Sequence, residues 1–173
     1  MIFLRHPETD APEGLCYGRL DVGLGRRASD QIAKALSAVH GCKEIVSSPA
    51  RRCRILADRF ADRYSSAIRL DARLLEYNFG AWEGRRWPDI PRTESDVWLR
   101  DLWTNRPPGG EAYCEQHARV AQALREIPET AVVICHAGVI RAARMILLGE
   151  SFDQVFAQQI PFCEPVNLQR MAA

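Results

Sequence analysis

The sequence predicts an α/β fold: a three-layer α/β/α sandwich built on a mostly parallel central sheet. Three observations predict it. Short apolar runs of strand length, at residues 1–5, 44–47 and 131–135, are separated by segments whose apolar residues recur at three-to-four spacing. Strands that alternate with helices pair in parallel, and helices then cover both faces of the sheet. No Ser/Gly-rich linker, internal repeat, charge block or low-complexity tract interrupts the 173 residues, so one domain over 1–173 is expected, with a lid-like insertion at about 77–110.

Residues 1–5 form the first strand, and the Gly- and Pro-containing stretch 6–27 is a loop. A helix follows over 28–40 and stops at Gly41, and Glu44-Ile45-Val46-Ser47 is the second strand. Pro49 opens a helix over 50–63, in which Ile55, Leu56, Phe60 and Ala61 share one face. A short strand at 67–70 leads into the segment around Glu76. Helices are expected at 94–104 and 111–126, with Trp98, Leu102 and Trp103 as one apolar stripe of the first. Residues 131–135 read as a fully buried strand that feeds a helix over 137–148, and edge strands are expected at 154–159 and 166–170.

Composition narrows the function. Apolar residues make up 47% and charged residues 26%, as in an ordinary globular chain, which excludes intrinsic disorder. A net charge of +1 excludes a general nucleic-acid binder, whose affinity needs clustered basic charge. Lys34 and Lys43 are the only lysines; a bias to arginine this general carries no message, and only arginines placed by a motif count. The six cysteines form no Cys-x-x-Cys pair and no zinc spacing. With no leader pattern and no apolar stretch of membrane length, a cytoplasmic protein with reduced thiols and no membrane partner is expected. The oligomeric state stays open, a homodimer included.

In sheets of this kind, ligands sit where loops converge at the carboxyl ends of strands. His6 and His136 each follow a buried strand and Ser47-Ser48-Pro49-Ala50-Arg51-Arg52 follows another, so all three are expected at one edge. A lone histidine at a strand end is often no more than a polar residue satisfied by a carbonyl. With Arg5 beside it, His6 is equipped to attack phosphorus while the guanidinium holds the oxygens. His136 precedes Ala137-Gly138, small residues that let the amides of a helix N-terminus approach an anion. Arg51 and Arg52 open a helix against its dipole, which anticipates an anion nearby; Arg51 suits a solvated surface better than Arg52 does.

Glu76 precedes the aromatic-rich Asn78-Phe79-Gly80-Ala81-Trp82, and a carboxyl held against apolar surface near a phosphate shifts towards neutrality, as a general acid requires. Glu83, beside Gly84, is given a structural role. All four tryptophans fall between 82 and 103; packing is the commoner role for most, and Trp82 or Trp87 is the candidate to stack on a heteroaromatic leaving group. Cys135-x5-Arg141 offers a competing pattern, that of phosphatases with a thiolate nucleophile. A buried cysteine ending a core strand is commoner, and the pattern leaves Arg5, His6, Arg52 and Glu76 without a role.

Arg5-His6-Pro7-Glu8-Thr9, Ser48-Pro49-x-x-Arg52, Leu74-x-Glu76-x-x-Phe79-Gly80-x-Trp82-Glu83-Gly84, Pro108-Gly109-Gly110-Glu111 and His136-Ala137-Gly138, in this order, resemble the histidine phosphatase superfamily, in its phosphoglycerate mutase-like branch. The resemblance implies a phosphoglycerate mutase-like fold and a phosphohistidine mechanism on a small-molecule phosphate ester, without cofactor or metal ion. It makes His6 the nucleophile and Glu76 the acid and then the base, and it gives His136, Arg5, Arg52 and Ala137 to the phosphate pocket. Residues 14–22, with 79–87 and 106–111, resemble the alpha-ribazole phosphatase-like proteins of cobalamin assembly. That likeness implies alpha-ribazole 5'-phosphate or a cobamide phosphate as substrate, with Tyr17, Arg19 and Trp87 as leaving-group contacts.

Two departures stand out. Pro7 replaces the usual glycine and brings no backbone N–H, and the asparagine that often follows the first motif is missing from Asp10-Ala11-Pro12-Glu13. The length favours a phosphatase over a mutase, which needs added segments to exclude water. The alternatives are a histidine phosphatase of another small molecule, a phosphoglycerate mutase-like enzyme, or, in another class, a non-catalytic module that binds phosphorylated ligands or proteins. Such a module needs arginines but no paired nucleophile and proton donor.

Overall fold

The computed structural model describes residues 1–169. Its strands are β1 (Ile2–Arg5), β2 (Glu44–Ser47), β3 (Ala67–Leu70), β4 (Val132–Cys135) and β5 (Pro165–Asn167), and they form one sheet in the order β3-β2-β4-β1-β5. The pairs β1·β4, β4·β2 and β2·β3 are parallel; β5 runs antiparallel along β1. The helices are α1 (Ala28–Ala38), α2 (Arg51–Tyr64), α3 (Arg92–Arg100), α4 (Tyr113–Glu126), α5 (Ala137–Leu148) and α6 (Phe152–Phe156).

Alternation along the strands builds the layers. Leu4, Ile45, Val132 and Ile134 pack with Ile32 of α1 and with Leu56 and Phe60 of α2. Phe3, Val46 and Val133 pack in a second core with Val120 and Leu124 of α4 and with Ile140 and Leu147 of α5. Side chains one residue apart on a strand thus enter opposite cores, and helices cover both faces, as the alternating pattern predicts. Each aliphatic side chain so buried contributes about 1.5–3 kcal/mol.

The edges of the molecule correct several expectations. Residues 154–159 are not a strand: α6 begins where Ser151 Oγ accepts from Gln154 N at 3.3 Å and Gln154 Oε1 accepts from Ser151 N at 2.7 Å. That reciprocal cap starts a helix, and Phe152 and Phe156 stack along it at 4.3 Å. The edge strand expected at 166–170 is β5, which begins at Pro165 and ends at Asn167; Arg170 lies outside the described residues. The helix expected at 94–104 ends at Arg100, because the Asp101 carboxylate accepts from Trp103 N at 2.9 Å and Thr104 N at 3.2 Å and turns the chain. Leu102 and Trp103 therefore leave the stripe of Trp98. The helix expected from 111 begins at Tyr113, since Glu111 is drawn away to Asn78 N and Arg119. The first helix ends at Ala38, ahead of residue 40. Among the described residues no helix is long and apolar enough to cross a membrane, and all six cysteines are free thiols.

Candidate active site

Adjacent parallel strands bring the motifs together. Arg5 lies opposite Cys135 in the β1·β4 register, and the next residue of each strand is a histidine. His6 N donates to Cys135 O at 2.9 Å and Ser48 N donates to Ile134 O at 2.9 Å, so three chain segments leave the sheet side by side. The rings of His6 and His136 stand 5.2 Å apart at 62°. A cavity of about 440 Å³ opens here; Arg5, His6, Tyr17, Arg52, Glu76 and Trp87 line it, with Leu15, Tyr77, Phe79, Trp98, Leu102, Tyr113, Gln116, Gly138, Arg141 and Phe156.

Backbone chemistry sets the tautomer of His6. Its Nδ1 lies 2.7 Å from Pro7 O, a pure acceptor, so Nδ1 carries the proton and Nε2 keeps a free lone pair. Pro7 has no N–H to offer, yet the carbonyl that fixes the ring is intact. Burial, then the neighbouring His136 and Arg52, hold the His6 pKa well below the ordinary 6.5, which keeps the ring neutral. His136 is fully buried and stands behind the cavity wall. Its Nδ1 accepts from Arg52 Nη2 at 3.3 Å, which leaves Nε2 to donate to Ser48 Oγ at 2.8 Å. Burial, then Arg52, hold its pKa well below 6.5 as well.

Two cations stand beside these rings, Arg52 buried and Arg5 partly buried. Arg52 is 1% exposed, whereas Arg51 is exposed. Arg52 Nη1 donates to Leu20 O at 3.0 Å and Nη2 donates to Gly18 O. Arg5 Nη1 donates to Ile160 O at 2.7 Å, and its guanidinium lies over the Phe162 ring at 3.7 Å. Among the described residues neither arginine forms an ion pair with a carboxylate, and the Nε of each is buried with no acceptor. Charge buried without a counter-ion is costly, and an anion in the cavity relieves that cost.

Glu76 faces the cavity from the loop after β3. Its Oε1 accepts from Tyr77 N at 2.9 Å and from Gln116 Nε2 at 3.1 Å, and its Oε2 accepts from Gly138 N at 3.1 Å. Hydrogen-bond donors hold this carboxyl, where the sequence led us to expect apolar rings. The group that meets the start of α5 is thus the protein's own Glu76 carboxyl. Gly138, and not Ala137, lines the cavity, and Ala137 is 9% exposed. A Cβ on residue 138 would sit 2.4 Å from Glu76 Oε1, so a larger residue would displace that carboxyl. Arg119 ties the loop from behind, donating to Arg73 O at 2.6 Å, Leu75 O at 2.7 Å and Glu76 O at 3.2 Å while pairing with Glu111 at 2.7 Å.

Glu83 has the structural role expected of it. Its carboxylate accepts from Gly18 N at 2.9 Å, Arg19 N at 2.9 Å and Leu20 N at 3.0 Å, holding the loop whose carbonyls hold Arg52. Tyr17 lines the cavity and its hydroxyl meets Thr9 Oγ1 at 3.0 Å. Trp87 lines it too, stacked on Trp98 at 5.9 Å and 19°. The side chain of Arg19 lies outside the cavity lining, 3.5 Å from Glu111. Trp82 is fully buried and donates Nε1 to Glu94 at 2.8 Å. Cys135 is fully buried, and burial pushes its thiol well up, the opposite of what a thiolate nucleophile needs.

Tyr113, Gln116 and Arg141 also line the cavity. Arg141 is held by Val155 O at 3.2 Å and Gln158 O at 3.3 Å; in the sequence it stands out only as the end of the Cys-x5-Arg pattern. Tyr113 and Gln116 have no signal in a single sequence beyond their three-residue spacing.

The family model of the histidine phosphatase superfamily (branch 1) matches residues 1–170. A bifunctional protein of Mycobacterium tuberculosis is 32% identical over 127 residues, 69% of this chain; the chain spans 35% of that relative's length. The glucosyl-3-phosphoglycerate phosphatase of the same species is 31% identical over 168 residues, 86% of this chain and 74% of that protein. The solved native structure of a mycobacterial glucosyl-3-phosphoglycerate phosphatase is similar with a TM-score of 0.77 at 28% identity, over 91% of this chain and 82% of that one.

Proposed function

This chain belongs to branch 1 of the histidine phosphatase superfamily, and on that premise we propose that it is a phosphomonoesterase working through a phosphohistidine at His6. One observation carries the proposal: a neutral histidine with a free Nε2 at the wall of a cavity, flanked by the partly buried Arg5 and the buried Arg52, neither of which forms an ion pair with a carboxylate among the described residues. In the first step Nε2 attacks phosphorus, the ester P–O bond breaks, and Glu76 gives its proton to the departing oxygen. In the second, the Glu76 carboxylate takes a proton from water as the water oxygen attacks phosphorus and the P–N bond breaks. Arg5 and Arg52 stabilise the phosphoryl oxygens throughout, so the scheme calls on no metal ion. His136 orients Arg52 through the contact at 3.3 Å.

The leaving group is a small organic alcohol. The rings of Tyr17, Phe79, Trp87 and Trp98 on the cavity wall support a flat heteroaromatic one, as in alpha-ribazole 5'-phosphate or a cobamide phosphate. The likeness to glucosyl-3-phosphoglycerate phosphatases supports a second reading, a phosphorylated glycerate that carries a sugar. The deciding experiment is kcat/KM, with chelator present, for alpha-ribazole 5'-phosphate, glucosyl-3-phosphoglycerate, 3-phosphoglycerate and p-nitrophenyl phosphate. A hundredfold preference, about 2.7 kcal/mol in transition-state binding, assigns the substrate. A flat profile points to another ester, and binding of phosphate without turnover of any ester returns the non-catalytic module.

A further inference from the structure

Two residues of α4 that line the cavity each carry a buried polar atom with no hydrogen-bond partner among the described residues: the Tyr113 hydroxyl and Gln116 Oε1. Tyr113 is 3% exposed and Gln116 0%. Buried polar groups are nearly always paired, so two orphans three residues apart, on one helix face and one cavity, mark a place where a partner is missing. The identity of each orphan is settled by its surroundings. Gln116 Nε2 lies 3.1 Å from Glu76 Oε1; a flipped amide would set oxygen against oxygen, so the free atom is the acceptor. The amide also lies against Gly138, where a Cβ would come within 2.9 Å of Nε2 and 3.1 Å of Oε1. The Tyr113 ring is fixed between Phe152 and Phe156, each at 5.2 Å. Burial, and then the charge of Glu76, push its phenol up, so it keeps a proton to donate.

One free acceptor and one free donor together match an alcohol, which accepts from Tyr113 and donates to Gln116. We propose that Tyr113 and Gln116 form a hydroxyl-binding subsite beside Glu76, which selects phosphate monoesters whose leaving alcohol bears a second hydroxyl near the ester oxygen. This inference rests on the phosphatase reading above. The class it names is the phosphorylated polyol, sugar or hydroxy acid. An alkyl or aryl phosphate that displaces water from the subsite leaves both groups unpaired and is discriminated against for that reason.

The test compares glycerol 1-phosphate with propyl phosphate, esters of equal carbon count, on the wild type, Tyr113→Phe and Gln116→Met. Phenylalanine keeps the packed ring and methionine keeps the volume. Any intrinsic difference in leaving-group strength is common to all three proteins, so the ratio of the two kcat/KM values is what is read. The wild type is expected to favour glycerol 1-phosphate by about tenfold, and either variant by about twofold or less. A ratio that is the same in all three proteins would mean that ordered water satisfies both groups, and would sink the subsite. If the wild type hydrolyses propyl phosphate, His6→Ala does not and the ratio never moves, the subsite falls alone. If the wild type hydrolyses neither ester, p-nitrophenyl phosphate decides: its turnover keeps the phosphatase reading and sinks the subsite alone, and its lack of turnover removes both.

Discussion

His6 is kept neutral mainly by burial, with His136 and Arg52 adding to it, while the Pro7 carbonyl decides which nitrogen is free. Its partner Glu76 is placed by three donors and one glycine. Replacing Glu76 with Gln is expected to lower kcat by about 10²–10⁴ for alkyl phosphates and by less for p-nitrophenyl phosphate, whose leaving group needs no proton; steady-state rates on the two esters check this. Gly138→Ala should resemble Glu76→Gln in kcat and leave inhibition by inorganic phosphate much as it was, because the added Cβ meets the Glu76 carboxyl and Gln116, away from the arginines. The placement of these residues was legible in the chain: Arg5, His6, Arg52 and Glu76 meet at one cavity, with His136 behind its wall. What the chain did not announce is how Glu76 is held, since its donors come from Gln116, 40 residues away, and from Gly138, 62 residues away.

At the scale of elements, the site depends on loops that are fastened from behind. Glu83 gathers three amides of the loop that grips Arg52, and Arg119 takes three carbonyls around Glu76 while it neutralises Glu111. The Arg119 and Glu111 side chains are only 16% and 11% exposed, so Arg119→Met leaves a nearly buried carboxylate with only the Asn78 amide and the longer Arg19 contact at 3.5 Å. A loss of about 3 kcal/mol in urea unfolding is expected, with kcat falling more than KM rises because the Glu76 loop is released. Strands in the sheet core and the helices packed on them were readable from periodicity, since hydrophobic burial fixes both. The elements misread lie where side-chain hydrogen bonds overrule periodicity. Ser151 and Gln154 cap a helix at a segment expected to be a strand, and Asp101 stops α3 before its apolar stripe is complete. The cap was visible as Ser-x-x-Gln, with Phe152, Val155 and Phe156 at helical spacing behind it.

For the molecule as a whole, stacking β2, β4 and β1 in parallel delivers three loops to one edge, and the same arrangement buries two uncharged histidines. Their folded pKa values lie well below the ordinary 6.5, so the unfolded chain binds the protons that the fold excludes. Stability is therefore full above about pH 6.5 and is lost as the pH falls below it, by up to about 2.7 kcal/mol per pH unit for two such groups. Urea midpoints between about pH 7.5 and 5 should show this slope, and His6→Asn should roughly halve it. The parallel edge was foreseeable from strand and helix alternation; the depth of His136 was not, because a single sequence does not say which of two strand-end histidines reaches the cavity. The phosphohistidine itself is the central claim, and rapid quenching during turnover of p-nitrophenyl phosphate, with chelator present, tests it most directly. The account predicts an acid-labile, alkali-stable phosphoryl group on the peptide that contains His6, lost in His6→Ala and retained in Cys135→Ser. Label on Cys135, or turnover that survives His6→Ala, would contradict it.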